Sequence, residues 1–140
     1  MRLGKNREMP KKPKKPPTEH WQPEPDPHDF PAAVDYLSLL AGTDTARNAA
    51  RALRRATVTT KKAKDLLRAS GLPLLPPDNF HVAADLAKVK AGDRLSPVLL
   101  VRGQLEHGIP LTIADGYHRV CASYHLDEDA DIPCCLVDLQ

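Results

Sequence analysis

Apolar residues recur along this chain with two different rhythms, and the rhythm changes at Pro97. Before it, spacings of three and four residues predict helices. Asp29 with Pro31 reads as a helix start, and Ala33, Val34, Leu37, Leu40 and Ala41 continue on one face until Gly42 stops it. Asp44 or Thr45 can cap a second helix, in which Ala46, Ala49, Ala50, Leu53 and Ala56 form a narrow stripe beside Arg47, Arg51, Arg54 and Arg55. The β-branched run Thr57-Val58-Thr59-Thr60 predicts a break, with Thr60 capping a further helix through Lys64, Leu67 and Arg68 to Gly71. A stiff connector, Leu72 to Pro77, precedes a helix opened by Asn79, with Val82, Leu86 and Val89 on one face before Gly92.

After Pro97 the apolar runs are short and continuous. Val98-Leu99-Leu100-Val101 and Leu111-Thr112-Ile113-Ala114 predict two adjacent strands. Gly116 ends the second, Val120, Cys121 and Tyr124 predict a helix to Leu126, and Pro133 opens a last strand over Cys134 to Leu139. The order helix, strand, strand, helix, strand predicts a small α+β domain with a mixed sheet, at residues 72–140. Residues 29–71 are expected to be helical and to pack on or extend that core.

Residues 1–28 change the picture. Lysine and proline alternate from Pro10 to Pro17, and prolines continue to Pro27 with little apolar besides Trp21, which predicts a disordered or polyproline-like basic tail. Charge is uneven behind the net of +2: residues 44–71 carry eight Lys/Arg against two Asp/Glu, whereas residues 72–140 carry five against ten. Such a cationic half can engage nucleic acid or simply attract the acidic half. No run approaches the roughly eighteen apolar residues of a membrane helix, and the basic start lacks the apolar stretch of a secretory signal. A cytoplasmic protein without a membrane partner is expected. The cysteines fit a reducing compartment: Cys134 and Cys135 are neighbours facing opposite sides of a strand, and Cys121 stands apart.

The chemistry concentrates in Asp115-Gly116-Tyr117-His118-Arg119. A strand that passes through Gly into a helix leaves the first helical amides without partners, and an anion can satisfy them. Gly116 permits either a positive φ or close approach of a phosphate, while His118 and Arg119 add donors in the first turn. Asp115 can hold Mg²⁺, orient a hydroxyl or cap the helix.

Residues 79–139, through the stretch Leu95 to Val101, the Leu111 to Arg119 segment and the strand opened by Ile132-Pro133, resemble the ParB/sulfiredoxin superfamily, the fold of ParB-like nuclease domains. ParB proteins bind CTP through a Gly-Glu-Arg-Arg turn and sulfiredoxins bind ATP through Gly-Cys-His-Arg. By position Gly116 and Arg119 match both turns, and His118 matches the sulfiredoxin histidine. The resemblance therefore implies a bound nucleoside triphosphate with Mg²⁺, held by Gly116, Tyr117, His118 and Arg119, with Asp115 and His118 as candidates for catalysis. Tyr117 replaces the sulfiredoxin cysteine and the ParB glutamate, so neither sulfinic acid reduction nor ParB-style hydrolysis carries over. ParB chains continue into a helix-turn-helix domain where this one ends at Gln140, so a partition role is not expected. Members with an Asp-Gly-x-His-Arg type of turn are similar to small-molecule kinases, which keeps phosphoryl transfer open.

Two other readings remain. The arginines of the second helix, Arg47, Arg51, Arg54 and Arg55, with the basic tail, suit DNA or RNA; a degenerate domain binding only a protein partner is the other. His118, Cys121, His125 and Cys134 carry zinc-ligating atoms, but spread over two helical turns and a separate strand they read better as ordinary residues, Cys121 and Cys134 buried and Cys135 an exposed thiol. His81 and His107 read as surface residues.

Overall fold

The computed structural model describes residues 18–139. The predicted tail in residues 1–17 lies outside the described residues.

Four strands form the main sheet, in the order β2-β6-β4-β5: β2 (Thr59–Lys62), β4 (Val98–Val101), β5 (Thr112–Asp115) and β6 (Asp131–Val137). β4 and β5 are neighbours as predicted and pair antiparallel, β6 runs parallel to β4, and β2 runs antiparallel to β6. Helices α1 (Asp29–Ala41) and α2 (Thr43–Arg55) cover one face; α3 (Ala63–Ser70) and α5 (Tyr117–Leu126) cover the other, with α4 (Phe80–Ala91) against α5. The chain is α+β.

Cover on both faces explains why β4 is a continuous apolar run. Leu99 and Val101 face Phe30, Ala33, Leu37 and Leu53, while Val98 and Leu100 face Leu66, Val120 and Ile132. The same cover overturns the expectation for Cys135. Its side chain points under α1 and α2, so Cys134 and Cys135 are both buried, in opposite cores.

Three element boundaries also differ. The β-branched break becomes strand β2, fully exposed but paired residue by residue with β6, and α3 starts at Ala63 instead of being capped by Thr60. Its first amides, at Ala63 and Lys64, donate to the carbonyls of Ala130 and Glu128. Strand β6 starts at Asp131, before Pro133, which is tolerated because pairing with β4 begins only at Cys134. Neither Asp44 nor Thr45 caps α2, whose N-cap is Gly42. Asn79 does cap α4, its carboxamide oxygen accepting from His81 and Val82 amides at 3.0 and 3.2 Å.

Order begins earlier than the proline pattern predicts. Strand β1 (His20–Trp21) pairs in parallel with β3 (Arg94–Leu95), Trp21 packs against the core under α3 and α5, and Ser123 Oγ, fully buried, donates to Glu19. Trp21, the β1–β3 pairing and the Ser123–Glu19 bond tie residues 19–21 to the core.

Candidate functional site

Between the strand end at Asp115 and the first turn of α5, the chain must turn sharply at Gly116, whose φ is +111°. A Cβ there would run into Val98 Cγ1 and come within 2.9 Å of Val98 Cβ. Glycine is thus required by the fold itself, through its positive φ and its contact with β4. Gly116 is also the N-cap of α5 and supplies no side-chain hydrogen bond, while the first backbone bond of the helix runs from Val120 N to Gly116 O. The amides of Tyr117, His118 and Arg119 precede that bond and carry the positive end of the helix dipole.

Asp115 does not cap the helix. Its carboxylate meets Arg119 Nη2 at 2.5 Å, one helical turn on, while Arg119 Nη1 lies 3.4 Å from Asp29 Oδ2 and donates to the carbonyl of Ser96 at 2.5 Å. Ser96 Oγ accepts from the Asp26 amide and donates to Asp29. The guanidinium therefore ties together α1, the β3–β4 loop and the end of β5. The three charged side chains are only 12%, 19% and 21% exposed for Arg119, Asp29 and Asp115, which makes this a largely desolvated triad with one cation between two carboxylates. Burial pushes Asp115 from the usual aspartate value of 3.8 up to about 6; Arg119 opposes the rise and the neighbouring Asp29 adds to it. Arg119, expected to clasp phosphate, is thus engaged by two carboxylates, and it also lines the cavity beside His118.

Tyr117 is also committed to the fold. Its hydroxyl donates to the Pro73 carbonyl, which pins the apolar connector, and its ring packs with Val82 and Cys121.

His118 is one of four predicted residues, with Asp115, Gly116 and Arg119, that line a single cavity. It borders a cavity of about 230 Å³ between α4 and α5, together with His81, Asp85, Lys88, Asp115, Gly116 and Arg119. The rings of His118 and His81 lie tilted at 46° to each other with centroids 4.7 Å apart. Desolvation lowers the His118 pKa, His81 and Arg119 lower it further, and Asp85 works against them. A second polar cavity, of about 250 Å³, continues past Asp85, Lys88 and Arg119 to Asp26, Ser96 and Arg94. Burial raises the Asp85 pKa, and Lys88, Arg119, His118 and His81 oppose the rise.

No family model, no curated protein and no solved structure matches this chain.

Asp85, Lys88, Arg94 and Asp29 escape the sequence reading. For Asp85 and Lys88 a signal existed: they and His81 lie on α4 next to the buried Val82 and Val89, on the side turned toward α5. The zinc candidates do not converge. His125 Nε2 is bonded to the Leu75 carbonyl, Cys121 lies in the α4–α5 contact and Cys134 in the core beneath α3. Among the described residues no three His, Cys, Asp or Glu side chains gather as a metal cage. Mg²⁺ needs none, since it binds through one or two carboxylates plus water and phosphate oxygens, and Asp85 and Asp115 both line the cavity. Asp115, the residue expected to hold Mg²⁺, is paired with the Arg119 guanidinium.

On the opposite side of the sheet, Arg47, Arg51, Arg54 and Arg55 are all exposed on α2, while its alanine stripe is buried. Arg54 lies over the Phe30 ring, 4.3 Å from its centroid, and Arg51 donates to Asn48. Among the described residues no helix is long and apolar enough to cross a membrane.

Proposed function

We propose that this chain is a cytoplasmic nucleotide-binding domain whose α4–α5 cleft takes the phosphates of a nucleoside triphosphate with Mg²⁺. The observation that carries the reading is the uncapped start of α5 beside a polar cavity lined by Lys88, His118 and Asp85. The amides of the first turn of α5, which no side chain among the described residues caps, and a lysine supply donors for phosphate oxygens, and Asp85 supplies an oxygen for the accompanying cation. The resemblance of the Asp115 to Arg119 turn to ParB/sulfiredoxin proteins supports the same ligand. Within this reading Asp115, Gly116, Tyr117 and Arg119 shape the wall, and His118 faces the ligand. Because His118 is biased toward its neutral form, it is the acid-base candidate should the ligand be hydrolysed or its phosphoryl group passed on.

Calorimetric titration with ATP, CTP, GTP and ADP in the presence of Mg²⁺ tests this. Binding of at least one nucleotide, weakened about tenfold in Lys88→Ala, is expected; the loss corresponds to about 1.4 kcal/mol for one charged contact. No heat with any of the four refutes it. Lys88 is the appropriate control because it is exposed, whereas an Arg119 variant would disturb the fold.

A second reading is favoured by the arginine face of α2 alone: a nucleic-acid contact of low sequence preference. It requires a mobility shift that disappears with rising salt and in an Arg47→Ala, Arg51→Ala, Arg55→Ala variant, independently of Lys88.

A further inference from the structure

Phe80 is the first residue of α4 and is 81% exposed, yet belongs to none of the three apolar clusters that hold the protein together. It stabilises nothing visible in the fold. Its ring stands edge-on to His81, with centroids 5.4 Å apart and planes at 88°, and His81 in turn lies tilted against His118 at the cavity, centroids 4.7 Å apart. Three rings therefore lead from the first turn of α5 out to an open aromatic face. Phe80, Ala84 and Lys88 recur at helical spacing, so they share one stripe of α4. Ala84 and Lys88 line the cavity itself, with Ala84 leaving a low floor between the ring and the ammonium group. From Phe80 to Lys88 the stripe runs about 12 Å at the helical rise, room for an extended nucleoside polyphosphate.

We propose that the base of the bound nucleotide stacks on Phe80, with its edge toward His81, while its phosphates lie at Lys88 and the start of α5. This rests on the phosphate reading of the cleft and adds the recognition of the other end of the ligand. Every base offers a π face, so stacking of this kind tolerates base identity. The rings meeting the base here are a phenyl and an imidazole, and selection among bases by Phe80 is accordingly weak.

The test compares Mg-ATP with Mg-tripolyphosphate, which has the phosphates and no base, on wild type, Phe80→Ala and Phe80→Trp. Because Phe80 is exposed and outside the core, both variants should keep the wild-type far-ultraviolet circular dichroism. Wild type is expected to bind ATP about tenfold or more tightly than tripolyphosphate. Phe80→Ala should remove most of that preference without changing tripolyphosphate affinity, and Phe80→Trp should retain it. A preference for ATP that survives Phe80→Ala, or equal affinity of wild type for the two probes, overturns the stacking role and leaves the phosphate site standing. Absence of binding by either probe overturns both.

Discussion

Replacing Arg119 with leucine removes the cation between Asp29 and Asp115 and leaves two carboxylates facing each other in a largely desolvated place. The guanidinium lies 3.4 Å from one and 2.5 Å from the other. At an effective dielectric near 20, each pair is attracted by about 4 kcal/mol or more, and much of that is offset by the cost of taking the charges out of water. Removing one partner forfeits the attraction but keeps the desolvation, so the loss should be about 3–5 kcal/mol at pH 8. Asp115 sets the pH dependence. Burial raises it to about 6 in the folded protein, so its contribution to stability is full below pH 3.8 and is lost as pH rises through 6. Without Arg119 the ionised pair is harder still to accommodate, so the gap between variant and wild type should widen from pH 4.5 to pH 8. Urea unfolding monitored by circular dichroism at the two pH values measures both quantities, and adding Asp115→Asn to Arg119→Leu should recover part of the loss at pH 8. A deficit under about 1 kcal/mol at pH 8, or one that does not change with pH, would refute the triad as a structural tie.

Gly116→Ala combines a positive φ with a collision at Val98, and should cost roughly 2–4 kcal/mol in the same unfolding assay; a neutral result would mean the turn is not built as described. Asn79→Ala removes the acceptor for two α4 amides and should cost about 1 kcal/mol, read as a lower urea midpoint at unchanged slope. Cys121, Cys134 and Cys135 are buried and burial raises all three thiols, Cys134 to about 11, so native protein at pH 8 should resist a thiol reagent until denaturant is added. Rapid labelling of Cys135 would contradict the cover provided by α1 and α2.

Elements whose apolar residues fix their own burial were legible from sequence alone. Leu37, Leu53 and Val82 mark the inner faces of their helices, and the continuous run at β4 announces a strand covered twice. Strand β2 was not legible, because all four of its residues are exposed and only pairing with β6 makes it a strand. Cys135 was misread for a related reason: its burial is decided by α1 and α2, which nothing in the sequence near it reveals. In the site, the glycine turn and the free start of α5 could be read from a local motif. The role of Arg119 could not, since Asp29 lies 90 residues away and becomes its neighbour only when α1 closes over the sheet. Asp85 and Lys88 similarly acquire meaning only once α4 is laid against α5.

The central claim, that the start of α5 holds phosphate, is tested most directly by following backbone amide resonances while Mg-ATP is added to isotopically labelled protein. The largest shifts should fall on the Tyr117, His118 and Arg119 amides and on Lys88, and should shrink in Lys88→Ala. Shifts confined to Arg47, Arg51, Arg54 and Arg55, or no saturable change at the three α5 amides, would contradict it.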